Sequence, residues 1–130
     1  MDQQTTETLE TICKSFAASV QGKLDWSWEG RFTCVVAAFK DSTAEEITGA
    51  LGGAFTGTWR TDNIGEANDG VQQAANKLGL RPGQVIYSVD AADGQLFGAW
   101  WPWGGGKTIS IRIFCSGADE AQLKSWFGVA

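Results

Sequence analysis

The stretch Trp100–Thr108 reads WWPWGGGKT, and its last four residues match the end of many phosphate-binding loops. In that motif a glycine stands five residues before the glycine that precedes the lysine. Counting back from Gly106 reaches Trp101 instead. The motif also needs a helix after the lysine, because helix N-terminal amides hold the phosphate. Residues 109–113 alternate isoleucine with other residues, which is typical of a strand. The stretch therefore predicts a glycine-containing hairpin loop rather than a nucleotide site.

The tryptophans are the second group that could recognise a ligand, since the chain has seven of them in 130 residues. An indole gives a large contact area at low entropic cost and stacks on sugars, prolines and cations. Side chains alternate along a strand, so Trp100 and Trp101 are predicted to point to opposite faces and Trp26 and Trp28 to share one. Trp126 is predicted to lie in the core, on the inner side of the last helix.

The predicted binding surface surrounds the hairpin of residues 95–112. Its candidate members are aromatic or cationic: Trp100, Trp101, Trp103, Lys107, Arg112, Trp26 and Trp28. Arg112 is expected to face outward between inward isoleucines, where its guanidinium can stack on an indole. The alternative is a tryptophan-rich core in which these rings cover the protein's own sheet and one or two of them stay partly exposed.

The sequence has few residues suited to catalysis or metal binding. Histidine is absent, which removes the commonest general base and the commonest metal ligand. Cys13, Cys34 and Cys115 are far apart without a C-x-x-C pair, and we expect them to be reduced and buried. The carboxylates stand at helix starts and turns without a diagnostic pair. We therefore predict no catalytic residue, no metal site and no cofactor, with an enzyme whose carboxylates are assembled by folding as an alternative.

The net charge of the chain limits the classes of partner that it is expected to bind. Fifteen acidic residues against ten basic ones give a net charge of −5 and a pI of about 4.6, without a basic cluster along the sequence. This balance disfavours nucleic acid and anionic membranes, and it would suit a basic protein partner. No signal peptide and no apolar run of membrane-spanning length is visible, so the expected location is cytoplasmic.

Hydrophobic periodicity predicts the element order α-ββ-α-β-α-βββ-α. The predicted helices cover residues 6–21, a short segment after a capping-box pattern at 42–45, residues 67–78 and residues 118–127. The predicted strands cover residues 24–28, 31–39, 55–59, 85–89, 95–101 and 109–113. Consecutive strands mixed with separate helices predict one α+β domain over residues 1–130, with an antiparallel sheet of five to six strands and residues 1–4 disordered. Small profilin-like domains and acidic secretion chaperones show broadly this order, an analogy of architecture without a shared motif.

The sequence thus favours a non-catalytic interaction module that engages a protein partner through a tryptophan-rich hairpin surface with acidic flanks. An inhibitor, immunity or chaperone role fits such a domain. A small-ligand or carbohydrate-binding protein that uses stacked tryptophans is the alternative from a different class. The solvent accessibility of the seven indoles distinguishes rings available to a partner from rings that belong to the core.

Overall fold

The architecture is an antiparallel sheet with helices on both faces, as predicted for the α+β class. The computed structural model describes residues 1–130. The strands are β1 (Ser27–Glu29), β2 (Cys34–Lys40), β3 (Gly57–Trp59), β4 (Val85–Ala91), β5 (Gly94–Pro102) and β6 (Thr108–Ser116). The helices are α1 (Gln3–Ser19), α2 (Ala44–Ala54), α3 (Asp69–Leu78) and α4 (Glu120–Phe127), with short 3-10 turns at Asp41–Thr43 and Ile64–Glu66. The six strands lie in the order β1-β2-β6-β5-β4-β3, and every neighbouring pair is antiparallel.

The two faces of the sheet have different residues and different covers. On face A, the isoleucines of β6 pack with α1, α2 and α4 in one core, through residues such as Leu9, Leu51 and Leu123. These side chains are fully buried. Face A is therefore sealed by three helices.

Face B carries a smaller core under α3 and the segments on either side of it, which contribute Ile64 and Leu80. Val71, Ala74 and Ala75 of α3 pack against Phe97 and Phe114 of the sheet. A helix of ten residues is about 15 Å long, whereas six strands at a spacing of about 4.8 Å make a sheet about 24 Å wide. One helix thus leaves part of face B uncovered.

Hydrogen bonds at the first turn of α3 hold this helix against β5. Asn68 Oδ1 accepts a hydrogen bond from the Val71 amide at 3.0 Å and caps the helix. The Gln95 amide lies beside this turn and donates to Asp90 at 2.6 Å and to Asn68 at 3.1 Å. A Cβ on Gly70 would lie 1.7 Å from Gln95 Oε1. Glycine at position 70 therefore permits this close approach, at a cost to helix propensity of about 1 kcal/mol.

Two details of the helix starts differ from the sequence expectations. Helix α1 begins at Gln3 rather than at residue 6, and Asp2 caps it by accepting from the Thr5 amide at 2.7 Å. The capping box expected at residues 42–45 is absent, because a 3-10 turn precedes α2 and Thr43 caps it without a side-chain hydrogen bond. A capping box forms instead at α4, between Asp119 and Gln122.

Other expectations hold. Gly79 ends α3 with a φ of +74°, as its position after the apolar stripe predicted. Cys13, Cys34 and Cys115 are free and buried. None of the helices has the length and apolar character needed to cross a bilayer.

Candidate binding surface

The structure divides the seven candidate residues between the two faces of the sheet. Trp100 lies on face A, is 9% exposed and meets Phe39 edge-on with ring centroids 5.5 Å apart. Trp26 also packs on this side, edge-on to Phe127 at 4.8 Å, and Trp28 packs against the same core. These three tryptophans cover the protein's own core.

Trp101 and Trp103 lie on face B. Trp101 pairs with Ser110 across the β5–β6 ladder and packs against the core under α3. Trp103 follows β5 and is 57% exposed. Its Nε1 donates a hydrogen bond of 2.6 Å to Ser110 Oγ, which fixes the ring over the sheet. A ring already held in place loses little further freedom when a partner contacts it.

These residues belong to the part of face B that no helix covers, which we name the open half. It is made of Val36, Ala38 and Lys40 of β2, Thr108, Ser110 and Arg112 of β6, and Trp101 and Trp103. Ala38 and Lys40 are exposed and Val36 is half-buried. Lys107 lies in the exposed loop next to it. The open half therefore joins apolar, aromatic and cationic side chains on one surface.

Arg112 is held by β1. Its Nε lies 2.6 Å from Glu29 Oε1, and its Nη2 lies 3.2 Å from Glu29 Oε2. Hydrogen bonds from Arg112 hold the pKa of the Glu29 carboxyl below its ordinary value. The guanidinium lies 5.5 Å from the centre of the Phe32 ring, so it stacks on a phenylalanine rather than on the expected indole. The ion pair fixes the arginine at the β1 side of the open half.

Several cations lie near the open half, and carboxylates lie farther along face B, where Asp69 and Asp90 line one pocket. Arg31 lies over the Phe32 ring at 4.9 Å, and Lys77 Nζ lies 5.4 Å from the Phe114 ring. Glu29 is the one carboxylate in β1, β2 and β6. The glutamates of the helices that cover face A are Glu7, Glu10, Glu45, Glu46 and Glu120. The strands under the open half thus carry one carboxylate, whereas the helices over face A carry five glutamates.

A cavity of about 390 Å³ lies next to the open half, between α3 and β6. Phe32, Phe97, Phe114 and Lys77 line it, and the Phe97 and Phe114 rings stack at 5.0 Å. None of these four residues was predicted from the sequence as part of the binding surface. Phe114 could have been found, because alternation places it on the same face of β6 as Arg112. Phe32 could not, because it precedes the strand and its position depends on the turn.

The thiols are poorly suited to covalent chemistry. Burial raises the pKa of Cys34 to about 12 and that of Cys115 to about 11. The pKa of Cys13 is also raised by burial. Because the thiolate is the nucleophilic form, burial disfavours the reactive state of all three thiols. No three Cys, Asp or Glu side chains converge as metal ligands would.

The chain matches no family model, no curated protein and no solved structure. Its architecture is that of an α+β domain with one antiparallel sheet. One face of this sheet is only partly covered by a helix and carries an exposed tryptophan that is held by a hydrogen bond.

Proposed function

We propose that this protein is a non-catalytic interaction module that binds a protein partner through the open half of face B, in an inhibitor, immunity or chaperone role. The observation that carries the proposal is Trp103, which is 57% exposed and held by Ser110. Tryptophan and arginine are enriched among the residues that dominate protein interfaces. Trp103 and Arg112 lie on the same face of adjacent strands, which supports a shared role.

The shape of the surface favours a protein over a small ligand. Small-molecule sites are concave and enclose most of the ligand. Five surface cavities occur in the molecule, and neither Trp101 nor Trp103 lines any of them. A stacked sugar or metabolite would therefore be poorly enclosed at these rings, whereas a second protein surface can cover them.

Affinity capture from the native host tests the proposal with two single variants. Trp103→Ala removes the exposed ring of face B, and Trp28→Ala removes a half-buried ring near face A. We expect Trp103→Ala to lose the specific partner and Trp28→Ala to retain it. Thermal unfolding of each variant shows that the fold is kept.

Equal capture by wild type and Trp103→Ala would refute the proposed surface. A titration of tryptophan emission with glycans and metabolites tests the alternative, a small-ligand or carbohydrate-binding protein. A saturable blue shift that disappears in Trp103→Ala would favour the small-ligand alternative.

A further inference from the structure

We infer that the partner contributes an extended acidic segment with one apolar anchor side chain, which lies along β6 on face B. This inference rests on the proposed function and specifies the chemistry of the partner. It follows from the shape of the path, the location of the cavity and the charges that border both.

The path runs over β6 on face B, from Phe114 past Arg112 to Thr108. Phe114 and Ser110 are buried at its floor, so its accessible surface comes from Arg112 and Thr108 and from the exposed Ala38 and Lys40 of the neighbouring β2. The seven residues 108–114 cover six steps of about 3.3 Å, or about 20 Å, the reach of a short extended segment. The phenylalanine-lined cavity of about 390 Å³ lies at one end, and the Trp103 ring lies toward the other. An apolar side chain fits the cavity, and the following residues of the segment reach the indole.

The unpaired cations beside the path favour acidic residues, most of all toward its Thr108 end, where Lys40 and Lys107 lie. At the other end, Asp69 and Asp90 line a pocket that adjoins the cavity, so the acidic residues of the segment are expected to lie nearer to Trp103. Arg112 is paired with Glu29, whereas Arg31, Lys40, Lys77 and Lys107 form no ion pair, so their charges remain available to a partner. By contrast, Lys14, Lys23 and Lys124, on the side of face A, are each paired with a glutamate. Complementary charge steers a partner to its site and fixes its register.

A basic, aromatic sheet face can also bind single-stranded nucleic acid, in which successive bases stack on several exposed rings. Here one large ring is exposed, and Phe32 already lies against the guanidiniums of Arg31 and Arg112. Three phenylalanine rings line the cavity together with polar side chains such as Gln73 and Gln95, and the rings suit an aliphatic or phenyl group. The contacts therefore favour a peptide.

Fluorescence anisotropy with defined peptides tests the inference. The probes are labelled peptides of about ten residues, each with a phenylalanine near one end, made in both chain directions. Three peptides differ in their other positions, which are mainly glutamate in the first, mainly glutamine in the second and mainly lysine in the third. A fourth probe keeps the glutamates and replaces phenylalanine by serine, and oligouridine serves as the nucleic-acid probe.

We expect the glutamate–phenylalanine peptide to bind at least about tenfold more tightly than the glutamine and serine versions. Its affinity should fall as salt screens the charges. Trp103→Ala should weaken binding about tenfold, as should the double variant Lys40→Glu/Lys107→Glu. The control Lys14→Glu/Lys23→Glu has the same net charge, changes the other side and should stay within about twofold.

Four results would overturn the inference: equal binding of the glutamine peptide, equal loss in the control double variant, tighter binding of oligouridine, or no peptide binding below about 1 mM. If Trp103→Ala still abolishes capture of the host partner while these peptides fail, the interaction surface stands and only the acidic segment is wrong. If Trp103→Ala affects neither measurement, the proposed function itself fails.

Discussion

Faces A and B of the sheet share the same backbone but differ in their cover. Face A receives three helices, and the alternate residues Ile109, Ile111 and Ile113 of β6 are buried beneath them. The intervening residues of that strand, which include Ser110 and Arg112, turn toward face B, where α3 covers only part of the surface. One strand thus supplies the core with one set of side chains, and the other set belongs to the surface that we propose binds a partner.

The largest contrast should appear between adjacent tryptophans. Trp100→Ala empties a buried site on face A and should lower the free energy of unfolding by about 3–5 kcal/mol. Trp101→Ala acts on the half-buried side of the same strand and should cost about half as much, because less apolar area leaves water there. Urea unfolding followed by circular dichroism measures both. Equal losses would show that face B is packed as fully as face A.

A smaller effect should come from the ion pair beside the open half. Because Arg112 lowers the pKa of Glu29, the pair stabilises the fold above the ordinary carboxyl pKa of 4.5. That contribution is lost as the pH falls through the lowered folded-state pKa. Glu29→Gln should therefore lower the free energy of unfolding by at most about 1 kcal/mol at neutral pH, as expected for a partly exposed pair.

The pH dependence supplies the control for this prediction. The difference in unfolding free energy between wild type and Glu29→Gln should shrink as the pH is lowered from about 6 to about 3. The pKa of Asp93 is also lowered, through hydrogen bonds from Thr5 and Asp2, but both proteins retain that group. A difference that stays constant with pH would contradict the assignment to Glu29.

Trp103→Ala should change stability less than either variant of the adjacent tryptophans. Its ring is largely in water, so we expect a loss below about 1 kcal/mol, together with the loss of the most accessible indole emission. Acrylamide quenching and urea unfolding measure these two quantities. Ser110→Ala sharpens the test, because it keeps the ring and removes only the acceptor that fixes it. A loss of several kcal/mol would place Trp103 in the core.

The smallest effect concerns kinetics rather than stability. Cys34 belongs to the core on face B and Cys13 belongs to the core on face A, and both side chains are buried. Local opening of a face covered by one helix should be easier than opening of one covered by three. Alkylation followed by mass spectrometry should therefore label Cys34 before Cys13 in the native protein. The reverse order would contradict the proposed difference in local stability.

Local patterns in the sequence predict much of the fold. Alternation in β6 places Arg112 opposite the isoleucine face, and it separates Trp100 from Trp101 as observed. Local signals fail where two solutions compete, as at residues 42–45, where the chain takes a 3-10 turn instead of the capping box.

The candidate surface is harder to predict because its members are distant along the chain. Glu29 and Arg112 are 83 residues apart, and no periodic pattern in the sequence predicts that they pair. Lys40, Lys77 and Lys107 form no cluster in the sequence either, so only the strand order brings their charges to one side. The seven tryptophans could be recognised as unusual, but the face on which Trp26 and Trp28 lie depends on tertiary packing.

The close fit of Gly70 against Gln95 also makes two positions, 25 residues apart, depend on each other. Alanine at position 70 would displace the Gln95 amide from Asp90 and Asn68. A short residue such as serine at position 95 would remove that obstacle. Alanine at 70 could then raise helix propensity by about 1 kcal/mol. The effect of alanine at position 70 on stability is therefore expected to depend on which residue stands at position 95.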